Sequence, residues 1–257
     1  MCDFLEILAK DAKETVTEGY YDVKQPRRRV GIGLRESILG CAKNPIIAEI
    51  KLASPSRGII VQDIDIEATG LMMQRGGAVG LSVLTEPKHF RGRIEYLASA
   101  AIGGLPRLMK DIVVDPAQVE AAVKVGAEAI LLIKSLFDRR LTNANLEEMI
   151  SLAHRGGMEV LLETHTKEEF KKALNTESDL IGINNRNLSS LKTDLQLTKN
   201  ILDVCSPKDH IVVSESGIET GDHIRFLRGC GARAFLVGSS VMSATHPEEK
   251  VRELVEA

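Results

Sequence analysis

The chain has 257 residues and a formal net charge of −3, from 33 Lys and Arg against 36 Asp and Glu. Hydrophobic residues make up 44% and charged residues 27%, a globular composition that excludes wholesale disorder. The near-neutral balance gives no electrostatic footprint for nucleic-acid binding, so any anionic ligand needs a local cluster of charge.

The positions of the cysteines and the lengths of the apolar runs argue against a metal-binding, disulfide-rich, secreted or membrane-spanning protein. The four cysteines (Cys2, Cys41, Cys205 and Cys230) lie far apart without a C-x-x-C pair, which argues against a zinc site and a disulfide framework. The N-terminus has acids where a signal peptide needs basic residues, and the longest apolar runs are far shorter than the ~18 residues of a membrane span. We expect a cytoplasmic protein without membrane contact.

Residues 1–44 are predicted to form a helical extension that packs on the main domain. Helices are expected over Asp3–Thr17 and Leu34–Lys43. Between them lies a polar stretch with Arg27, Arg28 and Arg29, which is most simply a solvated linker.

Residues 45–257 show short apolar runs that alternate with segments of helical periodicity. The runs are too short for buried helices and several are β-branched, which is typical of parallel strands buried on both faces. They are Pro45–Ile50, Val79–Leu84, Pro106–Met109, Ala129–Ile133, Met158–Leu162, Leu180–Ile183, Ile211–Ser214 and Ala234–Val237. Eight strand–helix units predict a single α/β domain, a closed (β/α)8 TIM barrel, with an open doubly wound sheet as the competing topology.

Several helix boundaries can be predicted from local signals. Asp115-Pro116 offers an N-cap followed by proline at the first helical position, Thr166 with Glu169 fits a capping box, and Pro247 begins a last helix. Three glycines end a helical pattern before an apolar run, which predicts the left-handed conformation: Gly77, Gly126 and Gly231.

Charged and polar side chains gather at the predicted carboxyl ends of the strands, where chemistry takes place in such barrels. They are Glu49, Lys51, Lys110, Glu163, Asn184, Arg186, Glu215 and Ser216. Alternation with period two places Ile47, Glu49 and Lys51 on one side, so Glu49 and Lys51 should top the barrel interior as an ion pair. Because desolvating so many charges is costly, a functional site explains them better than structural ion pairs do.

The ends of the seventh and eighth strands favour a phosphorylated small-molecule substrate. Ser216-Gly217 and Gly238-Ser239-Ser240 place small residues where backbone N–H groups can approach an anion. Barrels frequently bind phosphate through these two loops. The segment Ser54–Gly58, after the first strand, is predicted to be either a flexible lid or a surface loop.

Taken together, these segments resemble the indole-3-glycerol-phosphate synthase family, in the family's order and over about residues 46–242. The matching motifs are Glu49-Ile50-Lys51 with Ser54-Pro55-Ser56, Thr85-Glu86 with Phe90 and Gly92, Leu108-Met109-Lys110-Asp111, Leu162-Glu163, Gly182–Leu188, Ser214–Ile218 and Gly238-Ser239-Ser240. The helices of residues 1–44 are similar to the family's N-terminal extension, which lies across the barrel mouth.

The resemblance implies an enzyme of tryptophan biosynthesis that closes the pyrrole ring of indole. Its substrate would be 1-(2-carboxyphenylamino)-1-deoxyribulose 5-phosphate, and its products indole-3-glycerol phosphate, carbon dioxide and water. It implies neither a metal nor an organic cofactor. No nucleic acid, membrane or obligate protein partner is expected.

The resemblance also implies a role for each candidate residue. Lys110 would be the general acid of ring closure, and Glu163 would act in the proton transfers of dehydration. Lys51, kept oriented and charged by Glu49, would hold the substrate carboxylate, and whether it shares the acid work with Lys110 is left open. Asn184, Arg186, Glu215, Ser216 and Phe90 would contact the substrate, and Ser56, Gly217, Gly238 and Ser239 are the phosphate candidates. For a lysine to act as an acid near neutral pH its pKa has to fall, which burial and neighbouring cations can cause.

Two departures from the family pattern and several simpler interpretations remain. Leu52 replaces a residue that is often basic, and Ile112 replaces a common aromatic. Lys110 could pair with Asp111, and Arg186 with Glu215, as structural bridges. The six histidines (His89, His154, His165, His210, His223 and His246) are interpreted as surface or loop residues.

Two other functions compete with the family's. A phosphoribosylanthranilate isomerase shares the phosphate loops but typically uses a Cys/Asp pair at the strand ends, and no cysteine lies at the predicted mouth. A non-catalytic barrel should lack Lys110 or Glu163, and both are present.

Overall fold

Eight parallel strands close into a barrel in the computed structural model, which describes residues 3–24, 31–101, 103–188 and 190–257. The strands are β1 (Ile46–Ile50), β4 (Gly80–Leu84), β5 (Arg107–Lys110), β6 (Ala129–Ile133), β7 (Glu159–Thr164), β8 (Leu180–Asn184), β9 (Ile211–Glu215) and β10 (Ala234–Val237). β1 pairs with both β4 and β10, which closes the barrel and excludes the open doubly wound sheet. The predicted arginine-rich linker lies outside the described residues.

An antiparallel hairpin and thirteen helices complete the described ranges. The hairpin joins β2 (Ala53–Ser54) to β3 (Gly58–Ile59). The helices are α1 (Phe4–Thr17), α2 (Leu34–Leu39), α3 (Ile66–Arg75), α4 (Pro87–Phe90), α5 (Ile94–Ser99), α6 (Pro116–Val125), α7 (Lys134–Asp138), α8 (Leu146–Arg155), α9 (Lys167–Ala173), α10 (Gln196–Leu202), α11 (Gly221–Gly229), α12 (Ser239–Met242) and α13 (Pro247–Glu256). None of these helices combines the length and apolar character that crossing a bilayer requires.

Four strands extend to polar residues that the apolar runs did not include. Leu84 pairs with Lys110, Thr164 with Ile183, and Asn184 with Glu215. A strand can continue through a polar residue at its end, because the side chain there can point into the open mouth of the barrel. Lys110, Asn184 and Glu215 therefore stand on strands, not on the loops that follow them.

The predicted helix boundaries hold with two exceptions. Asp115 caps α6 with Pro116 at its first position, and Gly77, Gly126 and Gly231 all have positive φ. Thr166 accepts from the Glu169 backbone N–H, but the Glu169 carboxylate accepts from the His165 N–H and the Ser135 hydroxyl instead of completing a capping box. The second exception is α2, which ends at Leu39, four residues before the predicted Lys43, with Gly40 as its C-cap.

The core forms two layers, as expected for a barrel with helices outside. Alternate strand residues such as Ile47, Leu131 and Leu161 fill the barrel interior. The residues between them, such as Ile46 and Ile130, pack against the outer helices. This alternation carries the strand-end side chains on the interior face into the mouth.

The two N-terminal helices lie at opposite ends of the barrel. In α1, Leu5 and Leu8 are buried at the mouth, and the Tyr20 hydroxyl after it donates to the Thr85 carbonyl at 3.0 Å. At the other end, the Arg35 N–H of α2 donates to Glu159, the first residue of β7, at 2.8 Å. The resemblance placed both helices across the mouth; α2 instead covers the amino ends of the strands.

Candidate active site

A cavity of about 270 Å³ opens at the carboxyl ends of the strands. Its volume is close to the range of small-molecule sites, ~300–1,000 Å³. The cavity brings together every residue predicted for the site: Glu49, Lys51, Ser56, Phe90, Lys110, Glu163, Asn184, Arg186, Glu215, Ser216, Gly217, Gly238 and Ser239. The three described cysteines (Cys41, Cys205 and Cys230) do not line it.

Lys110 stands at the centre of a cluster of carboxylates. Its Nζ lies 3.1 Å from Glu163 Oε2 and 3.8 Å from Glu215 Oε2. Burial disfavours the ammonium, but attraction to Glu163, Glu215 and Glu49 outweighs this, so the pKa of Lys110 is raised above its usual value. The fall in pKa that acid work near neutral pH requires is therefore not present in the ligand-free site, because carboxylates outnumber cations around the amine.

The partner of Lys110 is Glu163, not the adjacent Asp111. The Asp111 carboxylate instead accepts from the hydroxyls of Tyr21 and Thr85 and from the Ile112 N–H. The simple pairing of two sequence neighbours is therefore excluded. Lys110 contacts carboxylates from two other strands, β7 and β9, which is the arrangement of a site and not of a pair between sequence neighbours.

Glu163 is held in its charged form. Burial alone would raise the pKa of this carboxyl, but Lys110 and contacts from His165 and Asn184 bring the pKa below its usual range. The side chain is only 2% exposed. A buried carboxylate with an ammonium on one oxygen is able to exchange a proton with a ligand in the cavity.

Glu215 behaves in the opposite way. Burial and the nearby Glu163 carboxylate raise its pKa well above the usual value, and Lys110 offsets this only in part. Both carboxyl oxygens are buried without a hydrogen-bond partner among the described residues. Gly182 on β8 makes room for the group, because a Cβ there would lie 2.2 Å from Glu215 Oε1. Two carboxyls with pKa values pushed apart are a signature of acid–base sites.

Glu49 and Lys51 form the predicted ion pair on the interior face of the barrel. Lys51 Nζ lies 2.6 Å from Glu49 Oε1, and the Ser82 hydroxyl lies 3.4 Å from Glu49 Oε2. Gly238 accommodates Glu49, since a Cβ at Gly238 would lie 2.3 Å from Glu49 Oε1. The absence of a side chain at Gly238 thus serves Glu49 as well as the predicted phosphate loop.

Arg186 and Asn184 follow one another along the rim, and Arg186 makes no ion pair with Glu215 in the described part of the chain. The Asn184 amide oxygen accepts from the Arg186 N–H at 3.0 Å, and Arg186 Nη1 donates to the Leu191 carbonyl at 2.6 Å. Burial and the nearby Arg57 lower the pKa of Arg186. The proposed structural bridge is therefore absent, and the guanidinium faces the cavity.

Small residues and two arginines lie at the end of the cavity predicted for phosphate. Ser216 and Gly217 have φ of 66° and 80°, a left-handed pair that turns the chain away from β9. For Ser216 this conformation is uncommon, and such strain is characteristic of functional loops. The 53–59 hairpin reaches across and Arg57 Nη2 lies 2.7 Å from Glu219 Oε1, so this segment borders the cavity.

An apolar wall faces the charged cluster. Phe4, Leu5 and Leu8 from α1 lie there with Phe90 and Ile112. Ile112, the departure from the family pattern, is buried in this wall, whereas Leu52 is buried outside it. A ligand whose flat apolar ring packs against this wall would therefore point its polar substituents toward the charged cluster around Lys110.

Sequence reasoning missed two groups beside the site. His165 lies in the loop after β7, as the loop interpretation predicts, but it is not at the surface: its side chain is only 7% exposed and its Nε2 lies 3.2 Å from Glu163 Oε1. His165 follows β7 directly, two residues after Glu163, and this nearness in sequence to a predicted site residue was the available signal. Tyr21 was also missed; burial and Asp111 raise its pKa, and burial raises the pKa of Asp111 to about 7.

No group of three or more His, Cys, Asp or Glu in the described ranges is arranged to hold a metal ion. The cavity instead offers ammonium, guanidinium and carboxyl groups around an apolar wall. A closed (β/α)8 barrel with these groups at its strand ends defines an enzyme of proton-transfer chemistry that acts on a phosphorylated small molecule.

Comparisons with known proteins specify the family. Residues 7–254 match the family model described as indole-3-glycerol phosphate synthase, and the chain belongs to this family. It is 38% identical over 224 residues to indole-3-glycerol phosphate synthase of Desulforamulus reducens, covering 87% of this chain and 83% of the relative. It is 41% identical over 215 residues to the protein of the same name from Methanocaldococcus jannaschii, covering 83% and 78%.

A solved structure shares the fold at much lower identity. Thiamine phosphate pyrophosphorylase from Pyrococcus furiosus aligns with a TM-score of 0.61 and 17% identity, covering 86% of this chain and 96% of that one. At this identity the likeness shows the barrel alone.

Proposed function

We propose that this chain converts 1-(2-carboxyphenylamino)-1-deoxyribulose 5-phosphate to indole-3-glycerol phosphate, carbon dioxide and water. The observation that carries the proposal is the position of the Lys110 ammonium, 3.1 Å from Glu163 and 3.8 Å from Glu215 in a cavity that also contains Gly217, Gly238 and Ser239. Family membership supports the same reaction.

Lys110 acts as the general acid of ring closure. The surrounding carboxylates keep the amine protonated at neutral pH in the ligand-free site, so the proton is in place when the substrate ketone enters. Its transfer then requires the pKa of the amine to fall as the bound substrate changes these surroundings. The ammonium protonates the ketone oxygen while a carbon of the anilino ring attacks the carbonyl carbon. Loss of carbon dioxide from that ring carbon then restores aromaticity.

Glu163 acts in the dehydration that follows. Its lowered pKa supplies a carboxylate that takes a proton from the ring intermediate as the hydroxyl leaves as water. Glu215 favours its protonated form and gives its proton to that hydroxyl, which is how the hydroxyl leaves as water. Two carboxyls in one cavity with opposite pKa shifts can thus divide the acid and base work.

The remaining residues bind and orient the substrate. Lys51, oriented by Glu49, holds the substrate carboxylate, and Asn184, Arg186 and Ser216 fix the ribulose chain. Phe90 borders the aromatic ring. The phosphate lies against Ser56, Gly217, Gly238 and Ser239. Arg57 and Arg186 supply the local positive charge that an anion needs in a chain of net charge −3.

We also propose a domain organisation, a cellular location and a set of partners for this chain. Residues 1–44 form an extension of a barrel domain that spans residues 45–257. The enzyme works in the cytoplasm as part of tryptophan biosynthesis. It acts on this small molecule without nucleic acid, membrane or an obligate protein partner.

The direct test adds the substrate to the purified chain and follows indole fluorescence. The chain contains no tryptophan, so the protein gives no indole background. Stoichiometric release of carbon dioxide and indole-3-glycerol phosphate is expected. If the folded chain leaves the substrate unchanged, the proposal fails.

A further inference from the structure

His165 lies directly behind Glu163 but does not border the cavity. The imidazole is 7% exposed, and its Nε2 is 3.2 Å from Glu163 Oε1, whereas Lys110 approaches Oε2 of the same carboxylate at 3.1 Å. The ammonium and the imidazole therefore engage the two opposite oxygens of Glu163. Only Lys110 is in a position to touch a ligand as well.

The surroundings of His165 are unusual for a buried imidazole. Neither ring nitrogen has a hydrogen-bond partner of good geometry in the described part of the chain. Buried polar atoms are nearly always hydrogen-bonded, so such an exception calls for an explanation. In ligand-free enzymes, hydrogen bonds of the catalytic groups are often misaligned and become well aligned when substrate binds.

A second carboxylate faces the other side of the ring. Glu169 Oε2 on α9 lies 3.9 Å from His165 Nδ1. Glu169 is itself fixed, because its oxygens accept from the His165 N–H at 2.7 Å and from the Ser135 hydroxyl at 2.5 Å. The charged groups that face the imidazole are thus Glu163 and Glu169, with Lys110 beyond Glu163. Because a carboxylate can only accept, a hydrogen bond between the two groups requires the N–H of the ring on the nitrogen that faces Glu163.

We propose that His165 is a positioning residue for Glu163: its Nε2–H donates to Glu163 Oε1 and holds the carboxylate in the orientation and charge that dehydration needs. This inference rests on the proposed function. His165 acts through Glu163 and transfers no proton to the substrate. A residue that acts in this way should affect turnover more than substrate binding.

Two amide substitutions separate this role from a structural one. The amide nitrogen of His165→Gln reaches about as far as Nε2, whereas that of His165→Asn reaches only about as far as Nδ1. We expect His165→Gln to keep kcat within a few-fold of the unsubstituted chain. We expect His165→Asn to lower kcat by about 10- to 100-fold with KM nearly unchanged, as for the loss of one hydrogen bond to a charged group.

The pH profile gives a readout that a structural role would not move. Without the donor, the Glu163 carboxylate is less stabilised and its pKa rises. The acidic limb of kcat against pH should therefore move to higher pH in His165→Asn and stay in place in His165→Gln. The matched control is His154→Asn, since His154 also pairs with a carboxylate, Asp179 at 2.9 Å, but lies outside the cavity.

A double substitution tests whether His165 acts through Glu163. If it does, adding His165→Asn to Glu163→Gln should lower kcat no further than Glu163→Gln alone. The inference would be overturned if His165→Asn and His165→Gln lost kcat equally and the acidic limb of the pH profile did not move. It would also be overturned if both variants kept a normal kcat. Failure of the unsubstituted chain to form indole-3-glycerol phosphate would instead refute the proposed function, so the two failures are distinguishable.

Discussion

Both ends of the barrel bury charged groups, and β5 contributes to each. Arg107 at the start of β5 pairs with Glu128 at the amino end of the barrel, and Lys110 at its last position pairs with Glu163 at the carboxyl end. The buried acids are equally inaccessible, with Glu128 3% and Glu163 2% exposed. Burial alone therefore does not distinguish the functional end from the structural one.

The two ends differ in how well their hydrogen bonds are satisfied. The Arg107 guanidinium donates to both Glu128 oxygens and to the carbonyls of Leu97 and Gly126. At the mouth, by contrast, Glu215 lines the cavity and neither of its oxygens has a hydrogen-bond partner among the described residues. Unused hydrogen-bonding capacity costs stability but is available to a ligand, so it marks the functional end.

The largest expected effect is on activity at the mouth. Lys110→Ala should lower kcat by about 10⁴-fold, because it removes the proposed acid and leaves Glu163 and Glu215 without their cation. Circular dichroism should show a folded barrel, since the carboxyls can take up protons. The assay is single-turnover formation of indole-3-glycerol phosphate.

Lys250→Ala is the matched control for this substitution. Lys250 is as exposed as Lys110, at 19%, and pairs with Glu253 at 2.8 Å outside the cavity. Its replacement should leave kcat unchanged. Comparable turnover in the two variants would show that Lys110 is not the acid.

The next largest effect is on stability at the opposite end. Arg107→Leu should lower the free energy of unfolding by about 3–5 kcal/mol, because Glu128 remains buried without its counter-charge. Turnover by the folded fraction should be nearly normal at low temperature. Urea unfolding measures the stability, and initial rates at 15–20 °C measure the turnover.

A double variant checks the cause of that loss. Arg107→Leu with Glu128→Leu removes both charges and should recover much of the stability, as with other apolar replacements of buried ion pairs. A double variant less stable than Arg107→Leu would mean that the carbonyls of Leu97 and Gly126, not Glu128, dominate the role of the guanidinium.

Most of the fold could be predicted from the sequence because strands buried on both faces produce continuous apolar runs. The site could be predicted for a related reason, since Glu49, Lys51 and Glu163 stand where these runs end. Arg107 shows the limit: it lay inside the apolar run Pro106–Met109, and its pairing with Glu128 depends on the register of two strands.

Non-local electrostatics could not be predicted. The raised pKa of Lys110 depends on carboxylates from β1, β7 and β9, whose distances follow only from barrel closure. The position of α2 at the amino end is of the same kind, because a short amphipathic helix does not encode which end of a barrel it covers. The burial of His165 is also of this kind, because it lies in the loop after β7 and its contacts with Glu163 and Glu169 depend on how that loop packs.

Asp111 connects the mouth to the N-terminal segment and should make stability depend on pH. Burial raises its pKa to about 7 from an unfolded value near 3.8, so the folded state holds a proton that the unfolded state has lost between these values. Its contribution is fully present below pH ~3.8 and is lost as pH rises through 7. The full loss is at most about 4 kcal/mol, since one pKa unit corresponds to ~1.4 kcal/mol.

Asp111→Asn tests this dependence because the amide cannot titrate. Unfolding in urea at pH 5 and at pH 8 should show a smaller difference between the two pH values in the variant than in the unsubstituted chain. Asp115→Asn is the control, since Asp115 is an N-cap for which asparagine is an equally good residue. An unchanged pH difference in Asp111→Asn would mean that Asp111 is already ionised at pH 5 when folded.

The smallest expected effect sharpens the contrast between the ends. At pH 7, Glu215→Gln should change the free energy of unfolding by less than about 1 kcal/mol, because the carboxyl favours its neutral form, accepts no hydrogen bond from a described residue and lies 3.8 Å from Lys110 Nζ. Above neutral pH the variant should become the more stable protein, since the raised pKa means that stability of the unsubstituted chain falls as this carboxyl ionises. Urea unfolding at pH 7 and 9 measures both effects.

Glu128→Gln is the control at the amino end of the barrel, where the buried carboxylate is fully hydrogen-bonded. It should lower the free energy of unfolding at both pH values, because it weakens the hydrogen bonds from Arg107. Similar losses in the two variants would mean that Glu215 is bound as firmly as Glu128, and that unsatisfied hydrogen bonds do not separate the two ends.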